Sequence, residues 1–280
     1  MTKNASQTLP VALTIAGSDS GGGAGIQADL KTFAALGVHG TCAITCITAQ
    51  NPKRVIGIQA CKPTIVRQQI DAVFAELRPN AVKTGMLFSQ EIVRVVAEFF
   101  SRRNPPRLVV DPVMVSTSGA RLLQPAAIRR ITAELLPRAL LVTPNLDEAE
   151  ILVGRRLKSV EDLRWAAKDI HGRFGCAALV KGGHLRGQRE AADIFYDGRT
   201  ELLLTAPFVR GVSTHGTGCT YSAAITALLA RGATLPKAVE LAKTFITGAI
   251  SQSNSVKAHS VLNPFWLAPV AGSGRALRRS

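Results

Sequence analysis

The chain is poor in aromatic residues, 5% of its 280, and poor in acidic ones, with 19 Asp and Glu against 34 Lys and Arg. The formal charge is +15, yet the basic residues are scattered and no aromatic residues interleave with a basic stripe. That pattern favours a solvated basic surface or a field for anionic substrates over a nucleic-acid interface, which charge alone leaves as an alternative. No run is apolar enough to span a bilayer. The longest uncharged stretches, Thr32–Pro52 and Gly211–Ala230, are broken by Gly37, His39, Gln50 and Asn51 in one and by Ser213, Thr214 and His215 in the other. The opening MTKNASQTLP is polar and lacks the apolar core of a signal peptide. Cysteines number five, with no Cys-x-x-Cys pair. Reduced thiols in a cytoplasm, and no structural zinc, are therefore expected. No Gly-Lys dipeptide occurs, so there is no P-loop, and neither His-Arg-Asp nor Gly-x-Ser-x-Gly appears.

Hydrophobic residues make up 46%, and short apolar runs alternate with amphipathic stretches. This is the pattern of a parallel sheet flanked by helices. Strands are expected at Val11–Ala16, Cys42–Thr48, Ala81–Lys83, Leu108–Val110, Leu140–Val142 and Ala177–Val180. Ile194–Tyr196 and Leu202–Leu204 flank Asp197-Gly198, a hairpin signal. Helices are expected over Ile26–Leu36, Thr64–Leu77, Gln90–Phe100 behind Ser89, Ala126–Leu136 behind Pro125, Asn145–Val153, after the capping box at Ser159–Asp162, Thr220–Arg231 and Pro236–Ser251. Residues 1–8 read as a polar tail, 9–268 as one α/β domain and 269–280 as a basic tail.

The polar and glycine-rich segments fall after the strands, where ligands of open α/β sheets bind. Thr214–Cys219 precedes an Ala-rich helix, and free N–H groups there favour an anion such as a phosphate in transfer. Cys219 would sit in the first turn, where the helix dipole lowers a thiol pKa and a thiolate could take a proton from a hydroxyl. The bland alternative is a glycine turn with an inert buried thiol. Gly23–Ala28 matches Gly-x-Gly-x-x-Ala, but the second strand ends in Ala49-Gln50-Asn51 without a ribose-binding carboxylate, which argues against a dehydrogenase. Asp19 and Gln50 could instead bond a small polar ring. Asn145 and Glu148, three apart, could hold Mg²⁺ or form an ordinary helix cap. Asp111 is a second candidate metal or phosphate neighbour. Lys181 could reach a phosphate or be solvated surface.

Taken together these segments resemble the ribokinase-like superfamily, and within it the hydroxymethylpyrimidine and phosphomethylpyrimidine kinases of thiamine biosynthesis. The resemblance runs from about Val11 to about Ser255. It rests on Ala16–Asp19 with Gly22–Phe33, Ala49–Asn51, Lys83–Met86, Asp111–Met114, Thr143–Leu146, Lys181–His184 and Thr214–Cys219. It implies a three-layer sandwich with a mostly parallel central sheet and helices on both faces. Cys219 would be the base, with Gly216 and Gly218 donating N–H groups to the moving phosphate. Lys181, Asn145 and Thr217 would contact nucleotide phosphates, and Glu148 and Asp111 would serve Mg²⁺. Gln50, Asp19, Met86 and Val113 would frame the pyrimidine. The implied co-substrate is ATP with Mg²⁺ and the implied assembly a homodimer, with no nucleic-acid or membrane partner. A pyridoxal kinase of the same fold is the nearest alternative, and a non-catalytic nucleic-acid binder the alternative of another class. Two departures stand out: Ser20-Gly21 where that branch often has Pro-Ser, and a shortened segment His259–Pro264 after Lys257.

Overall fold

The computed structural model describes residues 8–101, 106–114, 123–183, 185, 190–209 and 215–267. His184, Ser213, Thr214 and nearly all of both tails lie outside them. In chain order the elements are β1 (Val11–Asp19), α1 (Gly25–Ala35), β2 (His39–Asn51), β3 (Arg54–Ala60), α2 (Pro63–Glu76), β4 (Ala81–Thr84), α3 (Gln90–Ser101), β5 (Arg107–Val110) and α4 (Pro125–Arg130). There follow β6 (Leu141–Val142), α5 (Leu146–Val153), α6 (Val160–Phe174), β7 (Ala177–Lys181), β8 (Glu190–Tyr196), β9 (Glu201–Pro207), α7 (Thr217–Ala230), α8 (Leu235–Ser251) and the hairpin β10–β11 (Asn254–Val256, His259–Val261).

Nine strands form one sheet in the order β3-β2-β1-β4-β5-β6-β7-β8-β9. The six central strands are parallel, and antiparallel β3 and β8–β9 close the two edges. Strand alternation sorts side chains to two faces. Leu13, Ile15, Val82, Leu108, Val110 and Val142 meet α2 to α6, whereas Ala12, Ala81, Val109 and Leu141 meet α1, α7 and α8. The expected three-layer sandwich is thus built on residues one apart. Helix α7 is buried without a break from Thr220 to Ala230, so it reads as an Ala-rich run with no polar stripe.

Several boundaries moved. Helix α7 begins at Thr217, three residues before the expected start, because Gly216 takes the left-handed conformation (φ +83°) and turns the chain into the helix. The stretch after Pro125 is α-helical only to Arg130, then loosens through Ile131–Leu135 and tightens through Leu136–Arg138. β3 carries an exposed alternation without strong turn signals and escaped the sequence reading. Both capping boxes formed, at Asn145 with Glu148 and at Ser159 with Asp162. Among the described residues no helix is long and apolar enough to cross a membrane, and all five cysteines are unpaired.

Candidate active site

A cavity of about 450 Å³ opens beyond the carboxyl ends of the central strands. Its walls include Asp19, Gln50, Met86, Asp111, Val113, Asn145, Glu148, Lys181 and Gly216–Cys219, which brings every candidate residue to one place. Sheet geometry accounts for most of the convergence: these residues end or follow a parallel strand or open the helix behind one, and Gly216–Cys219, after antiparallel β9, join them by opening α7.

At the α7 N-terminus, Thr220 N–H is the first to bond within the turn, to Gly216 O at 2.9 Å. The N–H groups of Thr217, Gly218 and Cys219 therefore have no intrahelical acceptor. Thr217 Oγ1 is buried without a partner in the same place. Side chains are barred here, since a Cβ on Gly216 would run into Gly23 O. Lys181 packs against this turn; a Cβ on Gly218 would lie 3.3 Å from its Nζ. Lys181 reaches Asp111 Oδ1 at 3.4 Å and is largely buried, so the solvated-surface alternative falls away. Burial pulls its ammonium down, but Asp111, Glu148 and Cys219 outweigh that and hold it above its ordinary value.

At three residues the structure adds to the expectation, and at the first it departs from it. The first concerns Cys219, which does sit in the first turn of α7. Burial dominates the helix dipole and pushes its thiol up to about 12, with Asp29 and Asp111 adding to the rise and Lys83 and the Gly25 N–H opposing it. The free protein thus holds a thiol, partly open to the cavity, and not a ready thiolate. The second is Asp19. Its carboxylate accepts from the N–H groups of Gly21 (2.8 Å), Gly23 (3.1 Å) and Ala24 (2.9 Å) and lies 3.4 Å from His215 Nε2. Burial raises it, but His215 and those N–H groups prevail and hold it below the usual value. With these bonds Asp19 shapes the glycine loop, and both it and Gln50 line the cavity. Gln50 Nε2 lies 3.3 Å from His215 Nε2, and its Oε1 accepts from Thr48 Oγ1 at 3.2 Å.

The third is Glu148. Asn145 Oδ1 accepts from Glu148 N–H and Glu148 Oε2 from Asn145 N–H, both at 2.9 Å, while Glu148 Oε1 accepts from Met114 N–H at 3.0 Å. The helix cap is real, and both carboxylate oxygens are engaged by backbone. Burial pushes Glu148 up to about 7, aided by Asp111 and opposed by Lys181. Asp111, equally buried, accepts from Ser222 Oγ at 3.1 Å and Thr143 Oγ1 at 3.3 Å. Next to it Val113, β-branched, is held at φ +42°, a strained conformation in the cavity wall.

Sequence reasoning passed over two cavity residues. Lys83 and Asp29 form a fully buried ion pair at 2.7 Å in the floor, and both line the cavity with Cys219. A charged residue within a four-residue strand was the available signal. Asp193 with Lys243 (2.7 Å), Ile246, Thr247 and Ile250 line the same cavity.

The family model described as phosphomethylpyrimidine kinase matches residues 19–264. The chain belongs to that family. It is 50% identical over 248 residues to the hydroxymethylpyrimidine/phosphomethylpyrimidine kinase of Rhizobium meliloti, covering 88% of this chain and 92% of that one. It is 45% identical over 238 residues to the thiamine biosynthesis bifunctional protein of Geobacter sulfurreducens, covering 85% of this chain and 48% of that one. Among solved structures, the ADP complex of Bacillus subtilis pyridoxal kinase superposes with a TM-score of 0.85 at 37% identity, over 93% of this chain and 99% of that one. Matches to both kinds of kinase are ribokinase-like, and they agree with the three-layer sheet described above.

Proposed function

We propose that this phosphomethylpyrimidine kinase family member transfers the γ-phosphoryl group of ATP to the hydroxymethyl oxygen of 4-amino-5-hydroxymethyl-2-methylpyrimidine, then phosphorylates the monophosphate to the diphosphate for thiamine biosynthesis. The observation that carries this reading is the α7 N-terminus. Its free N–H groups and Cys219 line one cavity together with Gln50, Met86, Asp193 and Ile246.

Phosphoryl transfer needs positioning and charge neutralisation more than covalent chemistry. The N–H groups of Gly216, Gly218 and Cys219 would hold the transferring phosphoryl oxygens, and Lys181 would bridge to the nucleotide phosphates. Cys219 would take the alcohol's proton as the new O–P bond forms. The second acceptor is already an anion and needs no base.

Mg²⁺ fits the donor set in one manner. Among the described residues no group of three or more His, Cys, Asp or Glu side chains forms a metal cage. Asp111 and Glu148 supply two buried carboxylates beside Lys181, which suits an ion that keeps its waters and leans on substrate phosphates. Such an ion would neutralise phosphate charge and draw Glu148 to its ionised form. The reading extends to a cytoplasmic enzyme, supported by five free thiols, and to a homodimer, supported by the exposed Ile47 and Ile56 near the β3 edge. Light scattering checks the dimer.

The deciding experiment is product analysis with ATP, Mg²⁺ and the hydroxymethylpyrimidine, which should give mono- and then diphosphate. The likeness to a pyridoxal kinase structure supports a second reading, phosphorylation of pyridoxal in the same pocket. A kcat/KM for pyridoxal above that for the pyrimidine would overturn the first in favour of the second.

A further inference from the structure

Lys83 is among the largest side chains with no exposed surface. It lies in β4 opposite Thr14 of β1, two residues on from Ala81, and so on the face that α1 and α7 cover. Its Nζ donates to Asp29 Oδ1 at 2.7 Å, and Asp29 Oδ2 accepts from Thr14 Oγ1 at 2.6 Å. Among the described residues Asp29 is the one hydrogen-bond acceptor of an ammonium that carries three donors. Replacing a buried ion pair by apolar groups of equal volume is often neutral or stabilising, so fold stability does not explain this one.

Its position does. Lys83 and Asp29 line the cavity floor together with Gly25 and Cys219. The chain then runs to Gly85, where a Cβ would sit 3.8 Å from Lys83 Nζ and 3.0 Å from Ala16 Cβ; a larger side chain would screen the ammonium from the cavity. Two other lysines line the cavity: Lys181 reaches Asp111 and Lys243 reaches Asp193. We propose that Lys83, held by Asp29, which Thr14 fixes in turn, is a positioning residue whose ammonium stabilises the Cys219 thiolate. The inference rests on Cys219 as base.

The charges that face Cys219 are Lys83 from β4, Asp29 from α1, Asp111 after β5 and Lys181 from β7, with the Gly25 N–H at the α1 start. Burial, Asp29 and Asp111 oppose a thiolate, while Lys83 and Gly25 favour it. Lys83 itself stays an ammonium: burial pulls it down, but Asp29, Cys219 and Asp111 raise it further. The proton balance is simple. The thiol loses its proton to solvent, and the thiolate then takes the alcohol hydrogen as the O–P bond forms. The β–γ bridge of ATP breaks and ADP departs.

The test reads the thiolate without catalysis. The full-length wild type, Asp29→Asn, and the double variant Lys83→Met with Asp29→Asn are alkylated with iodoacetamide across pH 6–10. The Cys219 peptide is quantified by mass spectrometry, and the other four cysteines report on folding. Asp29→Asn removes a negative charge and keeps the ammonium, so Cys219 alkylation at pH 8 should rise several-fold. The double variant removes the ammonium as well, so alkylation should fall below that of Asp29→Asn by roughly 10-fold or more, about one pKa unit. A merely structural role would not move the two variants in this order. An unchanged or slower rate in Asp29→Asn overturns the proposal, and so does equal alkylation in the two variants; Asp29→Asn alone decides if the double variant does not fold. First-transfer turnover is measured alongside. If alkylation follows the expected order while turnover does not, Lys83 keeps its role and Cys219 loses that of base.

Discussion

Removing the sulfur should separate the two transfers. In the free protein burial pushes the Cys219 thiol up to about 12, well above pH 8. The base is scarce, and its supply grows about tenfold per pH unit. The first transfer, onto a neutral alcohol, should therefore climb through pH 7–9 in kcat/KM. Cys219→Ala deletes the acceptor and little volume, so the fold should be intact. A general base contributes about 10²–10⁴-fold, or roughly 3–5 kcal/mol in barrier. The first transfer should fall by that factor and lose its rise with pH. The second transfer, onto a phosphate monoester, should change less than about threefold. A coupled assay of ADP release, run with the alcohol and with the monophosphate in parallel, measures both. Equal losses in the two transfers would refute the reasoning, because the effect would then lie in phosphate binding by the helix turn. So would a wild-type rate in the alanine variant.

Three further outcomes are expected. Gln50→Ala should raise the pyrimidine KM about 10-fold with little change in the ATP KM, consistent with one or two lost hydrogen bonds; a change confined to ATP places the residue elsewhere. Gly216→Ala puts a side chain in the left-handed region and against Gly23 O, so it should shift the α7 N-terminus and lower kcat for both transfers by about 10²-fold, while circular dichroism stays native-like. Glu148 is raised from 4.5 to about 7, so the native chain binds its proton where the unfolded chain has lost it. Its contribution is intact below about pH 4.5 and is lost as pH rises through about 7. Thermal unfolding without nucleotide should show wild type losing ground to Glu148→Gln across pH 5–8; a constant difference means the carboxyl is ionised throughout.

The layers and the location of the site were legible in the chain. Apolar runs of three to seven residues, glycine after strands and caps before helices are local signals, and local rules govern them. Leu13 and Ala12 face opposite ways because a strand alternates, whatever surrounds it. β3 was not legible, since exposed Arg54–Ala60 takes its strand character from pairing with β2.

What each polar group does was decided only by tertiary structure. Asp19 was free in sequence to meet a ring, and in the fold three N–H groups of its own loop claim it. Glu148 is a cap by spacing, yet its pKa is raised by burial and by Asp111, far away in the chain, against the pull of the Met114 N–H. Lys83 meets Asp29 across 54 positions, and neither residue alone signals a charge beneath the thiol. The reason is physical: secondary structure answers to neighbours a few residues away, whereas desolvation and Coulomb energy answer to everything within several ångströms.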